Sequence, residues 1–213
     1  MSTRLNMYNN ALMVLGERSI AALTDAVESR RLLDQVWSSN GVIKCLEEGQ
    51  WNFATRSIQI DYDPDIDPGF GYTRAFPHPS DYVLTAGVCS DEFFKEPLLE
   101  YKDEGGHWYA NLDTLYVSYV SSDDQYGLNI NDWPGWFDDF VAADFAHKIA
   151  FKLTASKEKR DEALAERKRR KLLALNKNMM GQPTKFPPVG SWVRSRHRGE
   201  SRRDRGTTTG DLY

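Results

Sequence analysis

The chain has 213 residues, 40% hydrophobic and 12% aromatic, which is one domain, with or without appendages, and enough apolar side chain to exclude a wholly disordered polypeptide. No apolar run approaches the ~20 residues of a membrane span. Met1-Ser2-Thr3-Arg4-Leu5-Asn6 lacks a signal peptide's apolar stretch, and two cysteines, Cys45 and Cys89, are too few for a disulfide framework, so synthesis in a reducing compartment is expected.

The formal net charge of −4 conceals a strong polarity. Residues 1–60 balance six acids with six bases, whereas 61–145 carry eighteen acids and three bases. Residues 146–180 then carry eleven bases and four acids, and 181–213 seven bases and three acids. An acidic middle followed by a basic end is read either as faces meant for self-association or a charged partner, or as solvated faces that happen to cluster.

In chain order, Leu5, Tyr8, Leu12 and Leu15 recur at helical spacing and Gly16 follows as a C-cap, predicting a helix over 3–15. Asp25 and Glu28 have capping-box spacing before an apolar stripe of Leu32, Leu33, Val36, Trp37, Ile43 and Leu46. A second helix of about 23 residues is expected there, weakened at 38–41. Residues 57–60 alternate, then Asp61, Asp63, Asp65 and Asp67 interleave with Pro64 and Pro68 in a stretch that excludes regular structure. Short strand-like runs at 82–88, 98–101, 108–109 and 115–120 predict a small antiparallel sheet.

Helical periodicity returns after Trp133-Pro134, with Pro134 suited to the first helical position and Phe137, Val141, Phe145, Ile149 and Leu153 in an i, i+4 ladder. A highly charged helix over 157–179 follows, with a thin stripe of Leu164, Leu172 and Leu175. The plan is α+β. An antiparallel helical bundle of 1–56 and 132–180 carries an inserted antiparallel β-rich region, 57–131, and an extended basic arm, 181–213. The arm has Pro183, Pro187 and Pro188 but also Phe186, Val189, Trp192 and Val193, apolar anchors that point to ordering against a partner.

Catalytic signals are sparse. His78, His107, His147 and His197 are scattered, and the sequence has no H-E-x-x-H, C-x-x-C, P-loop, G-x-G-x-x-G or G-x-S-x-G. The aspartates at 61–67 resemble the start of a calcium loop, but Ile66 stands where Gly is needed and Tyr72 where a bidentate Glu is needed. No cofactor or metal is expected. Two other readings remain open. The run Arg167-Lys168-Arg169-Arg170-Lys171 is suited to gripping phosphates in a nucleic-acid-binding accessory protein, although Glu166 is placed to pair with Arg170. The acid-rich middle is compatible with a paired-carboxylate, carbohydrate-active hydrolase.

The N-terminal third carries an ordered set of motifs. Ala11-Leu12-Met13-Val14-Leu15-Gly16-Glu17 is followed by Arg30-Arg31-Leu32-Leu33-Asp34 and then Glu48-Gly49-Gln50-Trp51-Asn52-Phe53. This succession resembles the tail tubular protein A family, the tail adaptors or head–tail connectors of short-tailed bacteriophages. Asp81-Tyr82, the 113–119 run and Trp133-Pro134 follow in the same order. The Pro- and Asp-rich loop and the arginine-rich tail are more elaborate than the family pattern.

The resemblance implies a non-enzymatic structural virion protein, made in the host cytoplasm and residing at the head–tail junction. It implies a homo-oligomeric ring, typically of twelve subunits, between the portal protein and the tail nozzle protein, through which genomic DNA passes without sequence-specific contact. Helices would form the ring body, the β-rich part would face the nozzle, and the C-terminal segment would contact the portal. Phe186, Trp192, Arg194 and Arg196 are the expected anchors on the portal or an adjacent subunit. A closed ring needs a heterologous interface, for which the acidic and basic parts of the chain offer complementary faces; they serve equally for two different neighbours.

Overall fold

The computed structural model describes residues 3–68 and 71–181. The described chain is α+β, with five α-helices and two three-stranded antiparallel sheets. The expected arm residues Phe186, Trp192, Arg194 and Arg196 lie outside the described residues.

Helix α1 (Arg4–Leu15) starts where the Thr3 hydroxyl accepts from the backbone N–H of Asn6 and ends at Gly16, φ 69°. Gly16 and Glu17 donate back to Met13 and Leu12, a closure that favours glycine because the left-handed conformation penalises a Cβ. The expected long second helix is two: α2 (Glu28–Ser38) and α3 (Gly41–Leu46). Asn40, at φ 60°, turns the chain between them. Asp25 does not cap α2, whose N-cap is Val27; its carboxylate accepts instead from the N–H groups of Ala21 and Ala22, closing a turn in the preceding connector.

A single 3₁₀ turn, Asn52–Ala54, leads into β1 (Thr55–Asp61). The first sheet orders β1, β6 (Thr114–Ser121) and β3 (Tyr82–Cys89), with β6 in the centre. The second orders β2 (Arg74–Pro77), β5 (His107–Ala110) and β4 (Lys102–Glu104). One small sheet is therefore replaced by two. The 98–101 run is not a strand; Leu98 donates to Val88 and Pro97 makes an isolated bridge to Cys89, leaving Leu99 outside both sheets.

Alternation along β6 sends Leu115, Val117 and Tyr119 into a β-sheet core with Phe76, Val88 and Trp108, while Val120 joins the helical core. That helical core is built on α4 (Gly135–Thr154), in which Phe137, Val141, Phe145 and Ile149 are buried as the ladder requires. Pro134 sits at the N-cap of α4 in extended conformation, one place earlier than expected. Trp51 and Phe53 close on Phe137 with ring centroids 5.1 and 4.7 Å away.

Helix α5 (Lys157–Met180) runs back antiparallel along α4, as the pairs His147–Arg160, Asp144–Arg167 and Asp139–Arg170 show. Its expected leucine stripe is its buried face only in part: Leu175 packs on the helical core and Leu164 is half-buried. Leu172 is 62% exposed, and the buried positions are Ala163, Ala174 and Asn178. Ala142, Ala146 and Ala150 of α4 are buried in the same helical core as Ala163 and Ala174, and ionic contacts join the two helices.

Candidate interaction surfaces

The basic run of α5 is largely committed inside the molecule. Arg167 Nε donates to Asp144 Oδ1 at 2.6 Å, and its guanidinium also pairs with Glu48, just after α3. Asp144, whose side chain is 3% exposed, is further held by Lys148 Nζ at 2.5 Å; Lys171 pairs with Glu48 at 2.8 Å. Burial is the strongest single influence on Arg167 and lowers its pKa, but the Asp144 bond together with the charges of Asp144 and Glu48 outweighs it, and the guanidinium is raised. The same environment pushes the buried Cys45 thiol well up, first through desolvation and then through Asp144, the reverse of what a nucleophilic cysteine needs.

Arg169 and Arg170 both bind Glu166, which holds that carboxyl down at about 2. Arg170 also reaches Asp139. Of the five consecutive bases, Lys168 alone has no ion pair among the described residues. A groove for phosphates needs cations free to exchange their counterions, and these are mostly spent on carboxylates.

The N-terminal motif residues sit at joints of the helical core. Asp34 accepts from Arg4 Nη2 at 2.7 Å and Tyr8 Oη at 2.9 Å on α1, and from Arg30 Nη1 at 2.8 Å on its own helix. Desolvation, together with Asp34, raises the Tyr8 phenol well above its usual range despite the opposing pull of Arg4. Trp51 Nε1 donates to the Cys45 carbonyl at 3.1 Å. Asn178 of α5 clasps the next segment: its Nδ2 donates to Gln50 O at 2.7 Å and its Oδ1 accepts from Asn52 N at 2.9 Å.

In the acidic middle, Asp81 is the best-buttressed carboxylate. It accepts from Ser121 Oγ at 2.6 Å, Tyr119 Oη at 3.0 Å and Arg56 Nη1 at 3.0 Å. Burial works to raise its pKa, yet these three donors overcome burial and hold it below the ordinary value. Tyr119 is pushed up to about 12, by burial and then by Asp81. A glycosidase acid needs the opposite displacement.

His78 lies between the rings of Tyr82 and Trp108, 4.0 and 4.1 Å away, with Asp103 at 3.3 Å; desolvation lowers its pKa despite that carboxylate. Asp103 also accepts from Tyr82 and Thr85, so this polar knot ties the two sheets together. His147 is half-buried against the Arg160 carbonyl, in a packing position.

The aspartate loop folds on itself. Asp65 N donates to Asp63 Oδ1, Asp61 accepts from Thr114, and Arg74 stacks on Tyr62 while pairing with Asp113. Among the described residues, no group of three or more His, Cys, Asp or Glu is placed to hold a metal ion, and no helix is long and apolar enough to cross a membrane.

Two exposed features stand out among the described residues. One is the loop between β3 and β4, where Phe93 is 69% and Leu99 87% exposed among acids. The other is a groove of about 270 Å³ between α2 and α4, lined by Leu32, Gln35, Val36, Lys148, Ile149 and Lys152. The sequence marked this loop only by the strand-like run at 98–101, which masked the exposure of Leu99. The groove has no sequence signal, because it depends on how two helices separated by about a hundred residues pack. Comparison with known proteins returns no matching family model and no matching curated protein.

Proposed function

We propose that this chain is the adaptor subunit of a short-tailed bacteriophage tail. Copies of it close a ring that joins the portal to the tail nozzle and passes genomic DNA without sequence-specific contact. In this reading the helices of 1–56 and 132–180 form the antiparallel bundle of the ring body. The β-rich insertion 57–131 faces the nozzle, and the arm 181–213 reaches the portal through Phe186, Trp192, Arg194 and Arg196. The role uses no catalytic residue and no cofactor, and it is exercised in the virion.

The observation that carries the proposal is the ordered succession of N-terminal motifs, each with a task at a joint of the helical core. Leu15-Gly16-Glu17 closes α1, Asp34 latches α1 to α2, and Trp51 with Phe53 clamps α4. The internal pairing of Arg167, Arg169, Arg170 and Lys171 favours this role over a grip on phosphates.

Negative-stain images of the full chain mixed with the portal protein of the same virus test the proposal. Stacked rings are expected, and a chain truncated after Met180 is expected to stay folded by circular dichroism and to fail to stack. Tight DNA binding with a steep salt slope, and no ring on the portal, would replace this reading with the nucleic-acid one.

A further inference from the structure

The 91–100 loop is exposed yet well held. The Asp91 carboxylate accepts from the N–H groups of Lys95 at 3.0 Å and Glu96 at 2.8 Å, Ser90 N donates to Glu96 O, and Phe94 is fixed at φ 53°. Leu98 packs inward on the β-sheet core, which leaves Phe93 and Leu99 pointing to solvent. Around them stand Asp91, Glu92, Glu96 and Glu100 against the single base Lys95. A rigid loop that displays two large apolar side chains within a ring of acids has already lost much of the entropy that docking would cost.

The α2–α4 groove is its complement in shape and charge. An apolar cavity of ~150 Å³ holds a benzene ring, so a groove of about 270 Å³ walled by Leu32, Val36 and Ile149 has room for a phenyl group. Lys152 lines it with no carboxylate partner among the described residues, and Lys148 lines it while pairing with Asp144. Arg31 is exposed one turn before Gln35 on α2; Glu28, one turn before Leu32, is the opposing charge at that end. Phe151, one turn from Lys148, is 56% exposed and extends the apolar surface.

We propose that the 91–100 loop of one subunit docks through Phe93 and Leu99 into the α2–α4 groove of a second copy of this chain, with Glu92, Glu96 and Glu100 facing Arg31, Lys148 and Lys152. Charge complementarity selects the second copy as occupant. Knob and groove lie on different parts of one chain, so the contact is heterologous and propagates into a ring or a filament. This inference rests on the adaptor reading for its place, as the lateral joint of the ring.

Sedimentation velocity of the full chain from micromolar to near-millimolar concentration tests it. The wild type is expected to grow in mean mass with concentration. Phe93→Asp with Leu99→Asp, both at exposed positions, should weaken association by at least ~30-fold without changing the melting transition. Glu96→Lys and Lys152→Glu should each associate poorly alone, whereas their equimolar mixture should recover association because every joint then pairs opposite charges. A wild type that stays monomeric throughout, or a Phe93/Leu99 variant that associates like the wild type, would overturn the contact. If the portal still stacks rings in that case, the adaptor reading survives and the joint lies elsewhere. If the chain associates as described but never stacks on the portal, the contact stands and the adaptor reading fails.

Discussion

Arg167 shows how a residue read as a surface cation becomes a structural one. It bridges Asp144 on α4 and Glu48 after α3, and Asp144 is almost entirely out of water. Removing the guanidinium should cost at most about 3–5 kcal/mol, the figure for a buried charge left with no partner, because Lys148 and Lys171 still pair with the two carboxylates. Arg167→Ala is therefore expected to lower the urea midpoint by part of that range, with Lys148 still pairing Asp144 and Lys171 still pairing Glu48, and Arg167→Ala combined with Lys148→Met, which leaves Asp144 without either cation, should lower it further. Lys168→Ala, at the next residue of the same basic run and without an ion pair among the described residues, should leave stability nearly unchanged.

Asp81 gives a pH signature at the same scale. Its folded pKa lies below the ordinary 3.8, so its contribution to stability is complete above the unfolded value and is lost as pH falls through the folded one. Chemical denaturation should show Asp81→Asn less stable than wild type at neutral pH, with the gap narrowing below pH ~4. A gap that widens on acidification would contradict the sign. That Asp81 opens a strand was legible in sequence; that Ser121, Tyr119 and Arg56 converge on it was not, because the three come from two strands paired across about sixty residues of chain.

At the scale of elements, α1, α4 and the extent of α5 were legible because each has a cap and a 3.6-residue period. The break between α2 and α3 was visible only as a weakness at 38–41. A left-handed Asn40 settles it, a conformation that depends on local energetics and not on hydrophobic pattern. Strand β2 was missed since Arg74-Ala75-Phe76-Pro77 is short, ends in proline and has no alternation to speak of; pairing with β5 forms it. The leucine periodicity marked the inner face of α5 only in part: Leu175 packs on the helical core, but Leu172 is exposed, and Ala163, Ala174, Arg167 and Asn178 supply the rest of that face.

Two substitutions test these joints. Asn178→Ala removes the side-chain acceptor of Asn52 N–H and the side-chain donor to Gln50 O and should cost about 1–3 kcal/mol, read as a lower urea midpoint. Gly127→Ala would drive a Cβ into the Ser121 carbonyl oxygen and within 2.8 Å of a Leu46 methyl, so a loss of about 1–3 kcal/mol is expected in thermal or urea unfolding.

At the scale of the whole molecule, the net charge of −4 hides opposed regions, but the structure refines where that charge is free. Much of the basic α5 is neutralised by Glu48, Asp139, Asp144 and Glu166, so the exposed bases without an ion pair among the described residues are scattered ones, among them Arg18, Lys44 and Lys177 as well as Arg31, Lys152 and Lys168. The acids of the 91–100 loop stay exposed. The fold class was readable from the order of periodicities. The surfaces were not, since exposure and groove shape arise only once distant elements pack. The anchors Phe186, Trp192, Arg194 and Arg196 lie beyond the described residues, so truncation after Met180 remains their test.

The central claim, that many copies of this chain form a ring on a portal, is tested most directly by the mass of the complex. Native mass spectrometry of the full chain with its portal assembly should show a discrete species carrying a fixed ring complement of this chain, symmetric with or matching the portal. A complex with a single bound copy, a continuous ladder of occupancies without a closed species, or no complex at all would contradict it.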